Sequence, residues 1–302
     1  MELLFLGTGA GTPSRLRNVS CTALTIEGGA VWLFDCGEGT QHRILRTPIS
    51  PAKIEKIFIT HLHGDHIFGL PGLLTTRSML SGSGAVTVYG PKGIKEFVEV
   101  SLNLSASYLT YPLDIVELDA GVIYQSERFC VTAQPLNHVV PCFGFRIEEA
   151  DRPGSLDAGR LKAAGLSPGP LFQRLKTGER VQLDDGRVID GSAFLSPSTK
   201  GRTLAIFGDT APAESAFLLA KDADVMVHEA TLEASMTERA NSRGHSTTRQ
   251  AAQVAKDVGA KRLIVTHLSP RYGKEDEARL LAECQEVFPD VEMARDLASF
   301  TV

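Results

Sequence analysis

The chain has 302 residues, 43% of them hydrophobic and 22% charged, with a formal net charge of −5. That composition supplies a sizeable apolar core and excludes a disordered or fibrous protein. It also excludes a global field for nucleic acid, so any polyanion must be met by a local patch or by metal ions. The opening Met1–Gly7 lacks the basic region and small-residue cleavage site of a signal peptide, and reads as a first strand. No apolar run reaches the ~18–20 residues that a membrane helix needs. Cys21, Cys36, Cys130, Cys142 and Cys284 are scattered and form no Cys-x-x-Cys pair, so a reducing, cytoplasmic compartment is expected.

In chain order, Leu3–Leu6, Cys21–Ile26, Val31–Phe34 and Lys56–Thr60 are short apolar or β-branched runs that predict strands. A turn and an apolar stretch from Gly69 to Leu80 follow. Val86–Tyr89 and Ile115–Leu118 continue the strands around a helical pattern at Lys92–Leu104, and Phe129–Ala133 and Phe143–Ile147 close the first half. From about Asp151 to Ser198 the rhythm breaks. Arg152-Pro153-Gly154, Gly165-Leu166-Ser167-Pro168-Gly169-Pro170 and Asp184-Asp185-Gly186 are turn signals. Between Arg160 and Arg180 stand five basic residues (Arg160, Lys162, Arg174, Lys176, Arg180) against one acid, Glu179. Two readings stay open there: a functional inserted arm, or a surface loop with solvated charges. The second half alternates again, with strands at Thr203–Phe207, Val225–Val227 and Arg262–Thr266 and helices at Ala213–Lys221, Thr247–Val258 and Glu275–Val287. The expectation is an α/β fold over residues 1–302, interrupted by a flexible arm at about 151–198.

Eight histidines carry most of the chemical information. His61, His63, Asp65 and His66 crowd into Thr-His-Leu-His-Gly-Asp-His, after a buried strand and before a helix, where open α/β sheets bind ligands. His61 and His63 share a period of two, while Asp65 and His66 follow the Gly64 turn and address a different centre. Two cations about 3.5–4 Å apart would use all four side chains, and imidazole with carboxylate suits Zn²⁺ better than Ca²⁺ or Mg²⁺. Such a cluster calls for partners at other strand ends. His138, Asp209 and His267 each follow a separate predicted strand, and a carboxylate at Asp209 suits a bridge between two cations.

The set His61, His63, Asp65, His66, His138, Asp209 and His267 resembles the metallo-β-lactamase superfamily, and the resemblance runs from the opening strand to His267. It implies an αββα sandwich of two β-sheets flanked by helices. It further implies two Zn²⁺ per subunit, with Mn²⁺ or Co²⁺ as the other options. One ion would take His61, His63, His138 and Asp209, and the other Asp65, His66, Asp209 and His267. Asp35 stands where that superfamily places a carboxylate that orients a ligating imidazole, and His42 reads as a surface residue.

Four further segments resemble the ribonuclease Z branch, the tRNA 3′-processing endonucleases. These are Phe5–Pro13; Pro13-Ser14-Arg15-Leu16-Arg17-Asn18, with Arg15 where that branch usually has Lys; His228-Glu229-Ala230-Thr231; and His245-Ser246-Thr247. The segment Gly165–Gly178, with Gly169, Pro170, Arg174 and Lys176, is similar to the branch's RNA-gripping arm. The resemblance implies removal of 3′ trailers from precursor tRNA, leaving a 3′-hydroxyl, with 3′ exonuclease action left open. Asp65 would accept the proton of the attacking water, and His245 would protonate the departing 3′-oxygen with Glu229 orienting it. Arg15, Arg17 and Asn18 would lie near the RNA 3′ end, and the active form would be a homodimer. His228 reads equally as a core residue, and His245 also as a solvated residue before a helix. A hydrolase of the same fold acting on a small ester, lactone or cyclic nucleotide is the alternative.

Overall fold

The computed structural model describes residues 1–302 except Ser81, Pro153 and Asp184. The turn signals at 152–154 and 184–186 therefore each include a residue outside those described. The strands are β1 (Glu2–Gly7), β2 (Cys21–Thr25), β3 (Val31–Phe34), β4 (Ile54–Phe58), β5 (Val86–Gly90), β6 (Leu113–Glu117), β7 (Gly121–Gln125), β8 (Phe129–Pro135) and β9 (Phe143–Glu149), then β10 (Arg180–Gln182), β11 (Val188–Asp190), β12 (Thr203–Ile206), β13 (Val225–Glu229), β14 (Leu263–Thr266), β15 (Val291–Met293) and β16 (Ser299–Thr301). The helices are α1 (Thr40–Ile44), α2 (Gly64–Ile67), α3 (Leu70–Met79), α4 (Ile94–Leu104), α5 (Ala158–Ala163), α6 (Pro170–Lys176), α7 (Ala216–Ala220), α8 (Thr237–Asn241), α9 (Thr248–Asp257) and α10 (Glu277–Gln285).

The chain divides into two compact units, one of residues 1–125, 130–147 and 203–302, the other of 126–129 and 148–202. In the larger unit two seven-stranded mixed sheets run β16-β1-β2-β3-β4-β5-β6 and β15-β14-β13-β12-β9-β8-β7. Strands β3 to β6 are parallel, as are β12 to β15, so each sheet presents carboxyl ends along one edge. Aromatic rings join the inner faces: Phe34 and Phe58 of one sheet lie 5.9 and 5.4 Å from Phe145 of the other, and Trp32 meets Tyr124 at 5.6 Å. Outside one sheet, Leu70, Leu73 and Leu74 of α3 and Ile94 and Val98 of α4 bury against Ile57, Val86 and Val88. Outside the other, Leu219 of α7, Ala251, Ala252 and Ala255 of α9 and Leu280 of α10 bury against Met226, Leu263 and Val265. These layers are the αββα sandwich expected from the sequence.

The predicted elements recur with shifted ends. Strand β4 starts two residues earlier than Lys56 and stops at Phe58, because the Thr60 amide donates to Asp35 Oδ1 at 2.7 Å instead of continuing the ladder. Strand β7 carries no apolar alternation that predicts it; it forms as the antiparallel partner of β8. A capping box of Thr247 and Gln250 starts α9.

The smaller unit has a core of its own, built from Leu161, Leu166, Leu175 and Val181. Asp157 caps α5 by accepting from the Arg160 amide, and β10 pairs antiparallel with β11. Glu149, its side chain only 3% exposed, accepts from Arg152 at 2.6 Å and Arg202 at 2.7 Å, with Arg128 at 3.4 Å.

Candidate metal centre and its clefts

Beyond β4 the chain leaves the sheet at Thr60 and carries His61 into full burial; His63 then precedes α2, which holds Asp65 and His66. His63 Nδ1 lies 3.0 Å from His61 Nε2 and 3.3 Å from Nε2 of His138, which follows β8. Those three imidazoles form one cluster. The second comprises Asp65, His66 and His267: Asp65 Oδ2 is 3.4 Å from His66 Nε2 and 3.5 Å from His267 Nε2. Asp209, just past β12, faces both clusters. Its Oδ2 lies 3.8 Å from His61 Nε2 and 3.6 Å from His66 Nε2, and its Oδ1 lies 3.4 Å from His267 Nε2. Gly208 makes this approach possible, since a Cβ there would stand 2.6 Å from Cys142 Sγ and 2.7 Å from Thr60 Cβ.

Behind the clusters, hydrogen bonds fix three of the rings. His66 Nδ1 donates to Asp35 Oδ2 (2.7 Å), His138 Nδ1 to the Gly244 carbonyl (2.8 Å) and His267 Nδ1 to Thr231 Oγ1 (3.0 Å). Each bond leaves an Nε2 lone pair turned inward, the arrangement a metal ligand requires. Asp35 has φ 62° and His267 φ 58°, left-handed conformations held in place by these partners.

A cation fits this donor set. His66 Nε2 and His267 Nε2 are buried without a hydrogen-bond partner, although both face carboxylate oxygens. Burial opposes a charge on His66, yet Asp209 and Asp35 raise its pKa well above the ordinary range, so the pocket demands positive charge. Burial also opposes ionisation of Asp65, but His267 and His66 hold its carboxyl well below the usual carboxylate range. Neutral imidazoles around shared carboxylates match Zn²⁺ chemistry, and His61, His63 and His138 offer a second group of donors, all lying within 4.8 Å of one another.

Beside the clusters stands His245, its Nδ1 3.1 Å from Glu229 Oε1 and 3.7 Å from Asp209 Oδ2. Burial would lower its pKa, but the bond to Glu229 and the charges of Glu229 and Asp209 raise it to about 9. Glu229, at the end of β13, is fully engaged: Oε1 also accepts from the Thr210 and Ser246 amides, and Oε2 from Thr231 N and Oγ1. His228 points the other way, its Nδ1 bonded to the Glu229 carbonyl and its ring 4.6 Å from Phe207, so it is a core residue. His42 on α1 is exposed.

Arg17 needs a correction. Its residue is 6% exposed, and its guanidinium donates to Thr8 Oγ1, the Ala294 carbonyl and Glu277 Oε1, so it anchors the fold and has no face for RNA. Asn18 is engaged as well, donating from Nδ2 to the Glu38 carbonyl and from its amide to Asp296. Arg15 is exposed. In the smaller unit Gly169, Pro170 and Lys176 are exposed, and Arg174 pairs with Glu179.

Sequence reasoning missed three cations. Arg239, Arg243 and Arg271 line a cleft of ≈ 220 Å³ together with His63, Asp65, Asp209, His245 and His267. Arg271 is steadied by Ser269 Oγ at 3.2 Å. Only Arg243, two residues before His245, carried a local signal.

The sandwich and its strand-end cluster of imidazoles and carboxylates define a metal-dependent hydrolase of the metallo-β-lactamase fold. Residues 1–150 match the family model of the Anti-Pycsar protein Apyc1, and residues 178–268 match the beta-lactamase superfamily domain. The chain is 62% identical over 302 residues to ribonuclease BN of Erwinia tasmaniensis, covering 99% of both chains. It is 55% identical to ribonuclease BN of Escherichia coli O6:K15:H31, covering all of both. The crystal structure of human tRNase Z, short form, superposes with a TM-score of 0.72 at 31% identity, over 100% of this chain and 99% of that one. The chain belongs to the ribonuclease BN family.

Proposed function

We propose that this chain is an endoribonuclease that removes 3′ trailers from precursor tRNA. The observation that carries the reading is the shared cleft, where Arg239, Arg243 and Arg271 stand over His63, Asp65, Asp209 and His267. A chain of net charge −5 thereby gains a local cationic patch at its donor cluster, the arrangement a polyanionic substrate needs. His61, His63, His138 and Asp209 would hold one Zn²⁺, and Asp65, His66, Asp209 and His267 the other. Such a pair supplies Lewis acidity and a water acidified towards pKa ~7.

The chain's own residues account for the remaining steps. The three arginines hold phosphate oxygens and set the scissile phosphodiester over the clusters. Asp65, its Oδ2 fixed by the Gly11 amide at 2.7 Å, stays ionised and accepts a hydrogen of the attacking water. The new P–O bond forms as the P–O3′ bond breaks. His245, its Nδ1 engaged by Glu229, gives its proton from Nε2 to the departing 3′-oxygen. The tRNA keeps a 3′-hydroxyl, and the trailer leaves with a 5′-phosphate. Gly169, Pro170, Arg174 and Lys176 of the smaller unit would grip the tRNA body, with Arg15 nearer its 3′ end. A cytoplasmic homodimer, in which the arm of one subunit serves the other, completes the proposal. No helix among the described residues is long and apolar enough to cross a membrane.

The test is cleavage of a 5′-labelled precursor tRNA with a 3′ trailer by metal-loaded wild type, Asp209→Ala and arm-deleted forms. Metal-dependent cleavage beside the discriminator nucleotide, abolished in Asp209→Ala and crippled without the arm, is expected. No cleavage by fully metallated wild type, alongside fast hydrolysis of a small ester, would overturn it.

A further inference from the structure

The donor cluster opens in a second direction. His63 and Asp65, which border the arginine-lined cleft, also border a cleft of ≈ 430 Å³ lined by Gly11, Pro13, Val19, Glu38 and Phe68. The two clefts differ in chemistry. Among the residues lining the second there is no Lys or Arg, and Glu38 is acidic, so it offers phosphate no cationic partner. Its conspicuous surface is the ring of Phe68, 64% exposed although it sits at the end of α2, two residues from His66. The ring lies close against the turn. Gly64 lies beneath it, and a Cβ at position 64 would stand 2.1 Å from Phe68 Cε2. Gly64 is therefore the residue that lets the aromatic face lie against the His-x-His-Gly-Asp-His turn.

A solvent-facing aromatic ring lying on Gly64 in a cation-free cleft suits a flat, uncharged, π-faced group on a polyanionic chain, which is a nucleobase. We propose that Phe68 is the stacking platform for a base that flanks the scissile phosphodiester, while the phosphates run over Arg239, Arg243 and Arg271. The inference rests on the nuclease reading and deepens it: one cleft reads backbone charge and the other a base.

The test is a cycle of Phe68 variants against trailer-bearing RNAs in which the base on either side of the cleavage site is present or abasic. On the intact RNA, Phe68→Ala and Phe68→Leu lose roughly 5- to 150-fold in kcat/KM, the ordinary worth of one stacked base, and Phe68→Tyr restores it. With one flanking base removed, wild type falls to the level of Phe68→Ala, and that variant loses no more. Equal losses for Phe68→Ala on intact and both abasic RNAs, or retention of full activity by Phe68→Leu, would overturn the stacking role. Wild type that cleaves none of these RNAs would instead overturn the nuclease reading.

Discussion

Replacing Glu229 by Gln exchanges one acceptor oxygen for an amide that can only donate. Oε1 accepts from the Thr210 amide at 3.1 Å, the Ser246 amide at 2.9 Å and His245, so the less costly orientation keeps the carbonyl there. The new NH₂ then faces the Thr231 amide, 2.9 Å from the present Oε2, and strands that buried donor. Thr231 Oγ1, which donates to Oε2 at 2.8 Å and accepts from His267 Nδ1 at 3.0 Å, loses its acceptor too. One stranded backbone donor costs about 1–3 kcal/mol, and the loosened hydroxyl brings the expected total to about 2–4 kcal/mol. At roughly 2–4 °C per kcal/mol for a chain somewhat shorter than this one, Tm falls by about 5–15 °C. The variant also removes the carboxylate charge that raises the His245 pKa and loosens the Thr231 hydroxyl that holds His267, so kcat on precursor RNA falls by about 10² or more while KM changes little. Differential scanning calorimetry and single-turnover cleavage of metal-loaded protein read the two effects. A Gln variant melting within 1–2 °C of wild type, by the same conversion, with unchanged kcat would refute the argument that Glu229 organises both imidazoles.

Gly244→Ala forces a Cβ to within 2.7 Å of His138 Nδ1 at a backbone φ of +70°; metal retention against a chelator should weaken about 10-fold or more, as for other losses of a ligand's supporting hydrogen bond. Arg239→Ala and Arg271→Ala should each raise KM for RNA and flatten the slope of log KM against log salt by about one or less, with kcat preserved; an unchanged slope would remove them from the phosphate path. Burial opposes the Glu149 charge, but Arg202 and Arg152 hold its carboxyl down at about 2, so its contribution is complete above the ordinary carboxylate pKa and is lost as pH falls through about 2. Hydrogen exchange in residues 150–200 should show that acid-dependent loss in wild type and not in Glu149→Gln, a difference of at most about 3 kcal/mol because the arginines are partly solvated.

The sequence made the donor cluster legible because its chemistry is local at its start. Three imidazoles and a carboxylate in six positions leave little else to infer, and His138, Asp209 and His267 each sit just past a readable apolar strand. Arg17 misled for the same reason that it stood out. A basic residue in a motif reads as a phosphate contact, and only the fold shows Glu277, Thr8 and Ala294 closing around it. Arg239 and Arg271 were invisible because nothing local marks them, and their meaning comes from being brought to one cleft by α8 and the segment after β14. The span of α9 was legible from Thr247 onward, whereas β7 and the small core around Leu161 and Leu175 depend on pairing and packing that periodicity does not record.

The donors at the strand ends have an implication for synthesis. The first four, His61 to His66, leave the ribosome together, while His267 follows about 200 residues later. At about 5–20 residues per second, the nascent chain carries an incomplete set for roughly 10–40 s. Throughout that interval His267 is missing, and with it the Nε2 opposite Asp65; Asp209, whose carboxylate faces both clusters, is missing for most of it. An ion captured early is held by ligands from a single turn and remains free to exchange. Selection among competing cations therefore falls to the finished chain, after both sheets have closed.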